Sequence, residues 1–341
     1  MSGLRVRRVG PVVSVQDLGR PGYLSRGVAQ GGVADTTALY EGAALLGQSP
    51  ALAALEMGGM GGEFEALTPL RIALTGAPMV ASIDGAALTW NSSCRLEVGQ
   101  VLSIGAARKG VYGYLHVGGG FDSDEHLGAR SVHMAAGLGQ PVQTGEVLKV
   151  GADLDGETGL VLAAEPRFEG GEVRIVESFQ SALFSPETRL RLGETEFRRG
   201  QRANRMGVEL TCDGPPFQAE NQLNILSEVI TPGDVQMTGD GKPFVLLREC
   251  QTTGGYPRIG TVLPCDLPKV AQAPAGSDLK LKWVTLEEGL EANRRYEVEL
   301  KALPRSCQPM VRNPAGLPDL LSYQLVGGVV SAFADPFEKE S

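Results

Sequence analysis

The chain has 341 residues, 42% of them hydrophobic and 21% charged, with 46 glycines and a formal net charge of -9. That length exceeds the usual single core and predicts two domains. The acidic balance disfavours nucleic acid as a partner, because phosphate neutralisation needs clustered Lys and Arg, and no nucleic acid is expected.

The N-terminal arginines are not followed by an apolar segment, and no run of about 18 apolar residues occurs, so a soluble cytoplasmic protein without membrane contact is expected. Cys94, Cys212, Cys250, Cys265 and Cys307 stand singly, which predicts free thiols rather than a disulfide framework or a zinc site. His116, His126 and His133 lack the spacing and the acidic neighbours of a metal site, so no metal is expected.

In chain order, Leu4 to Val15 reads as two short strands broken at Gly10-Pro11. A dense polar loop follows, Gln16-Asp17-Leu18-Gly19-Arg20-Pro21-Gly22-Tyr23, which sets an amide, a carboxylate, a guanidinium and a phenol among glycines. It reads as a binding loop or as a turn in which Asp17 caps backbone groups. Asp35 caps a predicted helix over Thr36 to Leu46, stopped at Gly47; capping explains Asp35, and an anion at the helix start is the alternative.

From Leu52 to Val150 the pattern predicts many short strands, LAALEM, GGEFEAL, LRIALTG, MVASIDG, ALTW, VLSIG, VYGYLHV and EVLKVG, with Asp84-Gly85 as a hairpin turn. This is the signature of an all-β barrel or sandwich. The glycine strings at Gly58–Gly62 and Gly118–Gly120 lack the Lys-Ser/Thr of a phosphate-binding loop. Residues 152–171 are polar and Gly-rich and read as a linker.

A second domain begins near Glu172, with strands near Glu172–Ser178, Val208–Thr211, Leu223–Val229 and Asp234–Thr238 and a short helical piece at Phe179–Phe184. Two apolar runs within Phe244–Leu263 then read as strands around the polar centre Gln251-Thr252-Thr253-Gly254-Gly255-Tyr256-Pro257-Arg258. An amide, two hydroxyls, a phenol and a guanidinium around a Gly-Gly pair suit a small polar amide or carboxylate. A decorated hairpin loop is the bland alternative, and Cys250 beside it reads as a buried thiol rather than a nucleophile. Asp266-Leu267-Pro268 starts a short helix, the strand LKLKWV follows, and Thr285 with Glu288 forms a capping box before a last helix. The tail from Pro304 carries an apolar run, LVGGVV. The expected division is residues 1–160, 170–300 and a C-terminal extension 301–341.

Several of these stretches occur together, in the same order, in one known family. VQDLGRPGY (Val15–Tyr23), Gly31–Asp35, LTGA (Leu74–Ala77), YLHVGGGFD (Tyr114–Asp122), NRMG (Asn204–Gly207), SEVITPGDVQ (Ser227–Gln236) and QTTGGYPRIGTV (Gln251–Val262) resemble the allophanate-hydrolase-subunit-2-like proteins, also called the biotin-dependent carboxyltransferase family. The resemblance spans about residues 4 to 295 and implies a mostly β fold of two cyclophilin-like β-barrels with a few short helices. Many relatives carry a serine where this chain has Gly31-Gly32-Val33-Ala34.

What the resemblance implies about function divides into branches. One is a subunit of an ATP-dependent 5-oxoprolinase, opening 5-oxoproline to glutamate with separate A-type and B-type (allophanate hydrolase subunit 1-like) subunits. Another is a carboxyltransferase half that uses carboxybiotin on urea or a related amide, and a third is a regulatory protein that antagonises a kinase inhibitor. No methionine precedes a lysine, so any biotin arrives on another polypeptide, and ATP is assigned to a partner, leaving this chain without a cofactor of its own. On the first branch, Gln251, Tyr256, Arg258 and Asp17 are the expected catalytic groups. Gln16, Arg20, Tyr23, Asp35, Arg205, Thr252, Thr253, Gly254 and Gly255 are the expected substrate contacts, with Arg258 or Arg20 clamping the substrate carboxylate.

Overall fold

The structure is a computed structural model that describes residues 3–163, 165–219 and 226–310. It is mostly β, and alternation of buried and exposed positions places each strand. In the first half, one sheet runs in spatial order Val147–Lys149, Gly3–Val9, Gly62–Ala66, Val101–Ala107, Met79–Ile83 and Ala86–Ala87. A second runs Val13–Gln16, Ala54–Gly58, Tyr112–Val117, Leu70–Gly76, Ser92–Leu96, Leu160–Val161 and Gln308–Pro309. Leu4, Val6, Phe64 and Leu102 from the first sheet meet Leu55, Met57, Ile72 and Leu115 from the second in one buried core. The turn at Asp84-Gly85 has positive φ at both residues, 49° and 85°, the geometry that lets a two-residue loop follow the strand twist.

In the second half, seven strands close into a barrel: Gly171–Val176, Arg258–Val262, Asp234–Met237, Pro243–Leu246, Gly207–Thr211, Glu196–Asn204 and Asp278–Trp283. The joint between Gly171–Val176 and Asp278–Trp283 is parallel. The strands flanking the polar loop are not hairpin partners, because Asp234–Met237 pairs with both and lies between them. The loop crosses the barrel end, where Thr253–Gly254 pairs with Glu228–Val229.

Helix α1, Thr36–Leu46, starts on the Asp35 cap, whose carboxylate accepts from the Ala38 amide, and stops at Gly47 with φ 62°. Helix α2, Pro186–Glu194, adds to the expected elements; Ser185 caps it, with proline in its first turn. Helix α3 is Leu267–Gln272, and α4, Leu286–Ser306, carries the expected Thr285–Glu288 capping box. Asp266, expected to cap α3, makes no cap bond and instead takes a fork of two hydrogen bonds from Arg174, both 2.8 Å. The strand Ser92–Leu96 is a further addition; its serines, buried at Ser92 and Ser93, hide the apolar pattern. Residues 223–225 of an expected strand and the LVGGVV run lie outside the described residues. Among the described residues, no helix is long and apolar enough to cross a membrane.

The two halves share buried ground. Val33, Ala38, Leu39, Tyr112 and Tyr114 of the first half belong to the same core cluster as the barrel interior. The stretch read as a linker is pinned at several points. Arg71 forks onto Asp153, and Val161 pairs with Ser92. Arg167 donates to Asp35 at 2.8 Å and to both oxygens of Glu41 at 2.9 and 2.7 Å. On α3, Gln272 accepts from the amides of Val111 and Tyr112, both at 2.9 Å, and donates to the Tyr112 carbonyl and to Asp35, both at 2.8 Å. One side chain of the second half thus satisfies backbone groups of the first.

Removing Arg167 leaves two carboxylates buried without their cation, so Arg167→Leu is expected to cost about 3–5 kcal/mol in denaturant unfolding. The Arg71 fork holds the Asp153 carboxyl below the usual aspartate range. A depressed carboxyl stabilises above its unfolded pKa, and that contribution fades as pH falls through the folded value. Asp153→Asn should therefore lower the thermal midpoint at neutral pH and converge on the parent protein in acid, followed by thermal scans across the acid range.

Candidate functional site

The first polar loop folds around Asp17. Its carboxylate accepts from the Gly19 amide at 2.8 Å, the Arg130 amide at 2.7 Å and the Ser131 hydroxyl. This turns the chain so that Arg20 points inward, 1% exposed. Arg20 donates from Nε to the His126 carbonyl at 3.1 Å and from Nη2 to the Ser131 carbonyl. Burial works against its charge, and Asp17 and Glu249 work for it. Gln16 is fully buried and donates to Ser14 and to the Val132 carbonyl. Tyr23 is half-buried beside Arg26. Asp17, expected among the catalytic groups, is thus placed as the organiser of its loop.

Across the junction between the halves, Arg205 is buried between carboxylates from both. It pairs with Glu56 of the first half and, at 2.5 Å, with Glu249 of the second, and it donates to the Gly32 carbonyl. The second Glu56 oxygen accepts from Tyr114 at 2.6 Å and from the Ala34 amide at 2.7 Å. Tyr114 in turn accepts from the Asp35 amide. Arg205 and Asp35, expected to touch substrate, have protein partners for their charges.

Beside this network a cleft of about 380 Å³ opens between the halves, lined by Gly27, Ala29, His133 and Ala135–Ala136 on one side and by Glu249–Thr253 on the other. His133 Nδ1 accepts from the Ala136 amide at 3.2 Å, so the hydrogen of the neutral ring sits on Nε2. Burial, helped by Arg20 and Arg205, lowers the His133 pKa against the pull of Glu249, which keeps the ring neutral. Two donors near this wall find no acceptor among the described residues, His133 Nε2 and Arg20 Nη1. Both side chains close on Gly31. A Cβ there would stand 3.2 Å from Arg20 Nη1 and 3.2 Å from the His133 ring, at a φ of +64°, so a glycine fits where relatives are expected to carry serine.

The second polar loop is split by the structure. Gln251, Thr252 and Thr253 line the cleft, whereas Tyr256 is 50% exposed away from it. Arg258 is buried and held through each of its three side-chain nitrogens. It donates to Glu228 and to the Val229 carbonyl, approaches Asp234 at 3.5 Å, and both its Nε and its backbone amide meet Gln180. These bonds tie the Glu228–Val229 ribbon to the barrel, and Arg258, expected as a carboxylate clamp, is not among the residues that line the cleft with Gln251, Thr252 and Thr253. Burial pushes the Cys250 thiol up to about 12 and the His116 imidazole down to about 3, which makes the first a poor nucleophile and the second a poor base. Among the described residues no group of three or more His, Cys, Asp or Glu is placed to hold a metal.

Sequence reasoning does not single out Glu56, His133 or Glu249. A charged residue ending the apolar run FVLLREC is a usable signal for Glu249. His133 carries none, because the charges that face it, Arg20 and Glu249, lie more than a hundred positions away in the sequence.

A two-sheet half joined to a closed barrel, with a polar cleft between them, defines a two-part β protein whose site is shared by both parts. The chain belongs to the family described as the carboxyltransferase domain, subdomain A and B, whose model matches residues 26–283. It is 30% identical over 298 residues to the C subunit of the 5-oxoprolinase of Haemophilus influenzae, covering 86% of this chain and 94% of that one. To the protein of the same name from Escherichia coli it is 29% identical over 297 residues, covering 85% and 94%. The Kluyveromyces lactis urea carboxylase superposes with a TM-score of 0.79 at 21% identity, over 92% of this chain and 31% of that one. The chain spans 56% of another solved chain, 29% identical, with a TM-score of 0.75.

The placement of Arg258 makes a stability prediction. Arg258→Lys keeps one charge but cannot reach Glu228, Val229 and Gln180 together, and is expected to cost about 1–3 kcal/mol. Chemical denaturation measures it; a solvated loop arginine would change stability by less than about 0.5 kcal/mol.

Proposed function

We propose that this chain is the C-type member of an ATP-dependent 5-oxoprolinase assembly. The observation that carries the reading is the pair of uncommitted donors, Arg20 Nη1 and His133 Nε2, behind a cleft rimmed by Gln251, Thr252 and Thr253. The two relatives named as C subunits of 5-oxoprolinase, matched over nearly their whole length, support the choice of reaction. Arg20 and His133 hold the substrate carboxylate, and the Gln251 amide with the Thr252 hydroxyl reads the lactam group. A lactam is resonance-stabilised and hydrolyses slowly. Transfer of a phosphoryl group from ATP to its carbonyl oxygen, with release of ADP, makes the carbonyl carbon electrophilic enough for water to add; the C–N bond then breaks as the nitrogen takes a proton, and a second water hydrolyses the resulting acyl phosphate to the carboxylate and phosphate. ATP is bound by a partner protein, and A-type and B-type subunits make up the rest of the assembly in the cytoplasm.

The likeness to urea carboxylase supports a second reading, a carboxyltransferase half that takes carboxybiotin from another chain. Reconstitution separates the two. With A-type and B-type subunits, 5-oxoproline and ATP, the expected result is glutamate formation that requires all three chains. In that assembly Arg20→Lys and His133→Ala should each lower kcat/KM by about tenfold to a hundredfold, roughly 1.5–3 kcal/mol. Turnover by this chain alone, unchanged turnover in both variants, or a requirement for bicarbonate and a biotinylated carrier would overturn the first reading.

A further inference from the structure

A cavity of about 520 Å³ opens in the two-sheet half and shares no lining residue with the cleft. Its floor is the edge of the buried core, formed by Val15, Phe121, Val142 and Leu148. Over it runs the stretch 122–132, whose residues face two ways. Arg130 and Val132 line the cavity, while Ser131 between them donates to Asp17 and gives its carbonyl to Arg20. His126 also lines the cavity, and its carbonyl accepts from Arg20 Nε at 3.1 Å. The loop that fixes Arg20 is therefore also a wall of this cavity.

The rim carries both signs of charge. Arg130 is engaged: it donates to the Ser123 carbonyl and pairs with Asp122 at 2.9 Å and Glu125 at 3.4 Å. Asp124 and Lys149 are exposed and have no side-chain partner among the described residues. The Asp122 amide donates to the Lys149 carbonyl at 2.9 Å, which holds the two segments side by side and sets the open carboxylate and the open ammonium at one mouth. Next to Asp124, the Ser123 hydroxyl oxygen is buried with no partner among the described residues, a state that few polar groups in native structures keep. Asp122, Asp124 and Glu146 outnumber Arg130 and Lys149 on the rim, which disfavours a ligand of net negative charge. An apolar floor beneath an open carboxylate, an open ammonium and a hydroxyl suits a zwitterion with an apolar side chain, because each charged end then meets its opposite while the side chain covers the floor.

We propose that this cavity binds a small apolar amino acid, with its ammonium on Asp124 and the Ser123 hydroxyl and its carboxylate on Lys149, and that occupancy is felt at Arg20 through the shared loop. The role of Arg20 as a substrate contact rests on the function proposed above. The binding does not, since it concerns this chain alone.

The test is a calorimetric and NMR titration of the isotopically labelled full chain with L-leucine. Isocaproate and isopentylamine, which each lack one of its charges, and L-glutamate, which adds a negative one, serve as comparisons. The expected result is saturable L-leucine binding at about millimolar affinity, with each of the other three at least about tenfold weaker. The backbone amides of Ser123, Asp124 and Lys149 and the Arg20 Nε–H should shift along one saturation curve. Asp124→Asn and Lys149→Met, both at exposed positions, should each weaken binding about tenfold. No saturable binding, equal binding of leucine and its one-charge analogues, or an affinity unchanged in both variants would overturn the site. Shifts centred on Gln251–Thr253 would put the ligand in the cleft and overturn it as well, and binding that leaves the Arg20 signal in place would overturn the link between the two sites. If a variant fails to fold, the ranking of the four ligands on the parent chain still decides.

Discussion

The structure depends on a guanidinium between two halves. Arg205 comes from the barrel, yet one of its carboxylate partners, Glu56, and the carbonyl of Gly32 belong to the two-sheet half, while Glu249 belongs to the barrel. Both carboxylates are 2% exposed. Charges so deeply buried are tolerated only when paired and hydrogen-bonded in good geometry, so each partner fixes where the others can be. Glu56 also holds Tyr114 and the amide of Ala34, and Tyr114 takes the amide of Asp35. The start of α1, two strands of the second sheet and the chain end of the polar loop are thereby set by one charge network.

The cleft inherits its character from that network. Glu249 spends one oxygen on Arg205 and offers the other to the Met134 amide, which positions the turn carrying His133. Asp17 does the corresponding work for Arg20. What remains uncommitted is a small set of N–H donors and the amide and hydroxyls of Gln251–Thr253. A rigid, charge-balanced frame with a few free donors is how a protein preorganises a site for a polar ligand without an excess of local charge.

Much of the frame was legible in the sequence. The helix over Thr36–Leu46, with Asp35 and Gly47 at its ends, and the capping box at Thr285 follow from local rules that tertiary contacts did not override. Many strand periods were readable too, but not Ser92–Leu96, where serines occupy buried positions, nor the barrel strand Glu196–Asn204, which carries Arg198, Arg199 and Arg202. The site was less legible. Residue type identified the two polar loops, and Arg20 was named, but residue type cannot say where a guanidinium spends its donors. Arg258 and Arg20 look alike in sequence; one bonds through each of its three nitrogens to Gln180, Val229 and Glu228, and the other keeps a nitrogen without an acceptor among the described residues. Glu56 and His133 gain their meaning only from partners brought in by long-range pairing.

The reach of Gln272 bears on how this chain can be divided. Its side-chain amide answers two amides and a carbonyl on the Val111–Tyr112 edge, as a neighbouring strand would, while also touching Asp35. Each half therefore lacks something it needs when cut away from the other: the two-sheet half loses the substitute for a missing strand, and Arg205 of the barrel loses its Glu56 and Gly32 partners. An ancestor in which the halves were independent proteins would have had to associate through this same surface. Fusion into one chain turns that association into an intramolecular step, and insertions or permutations should be tolerated at the outer loops and not along this seam.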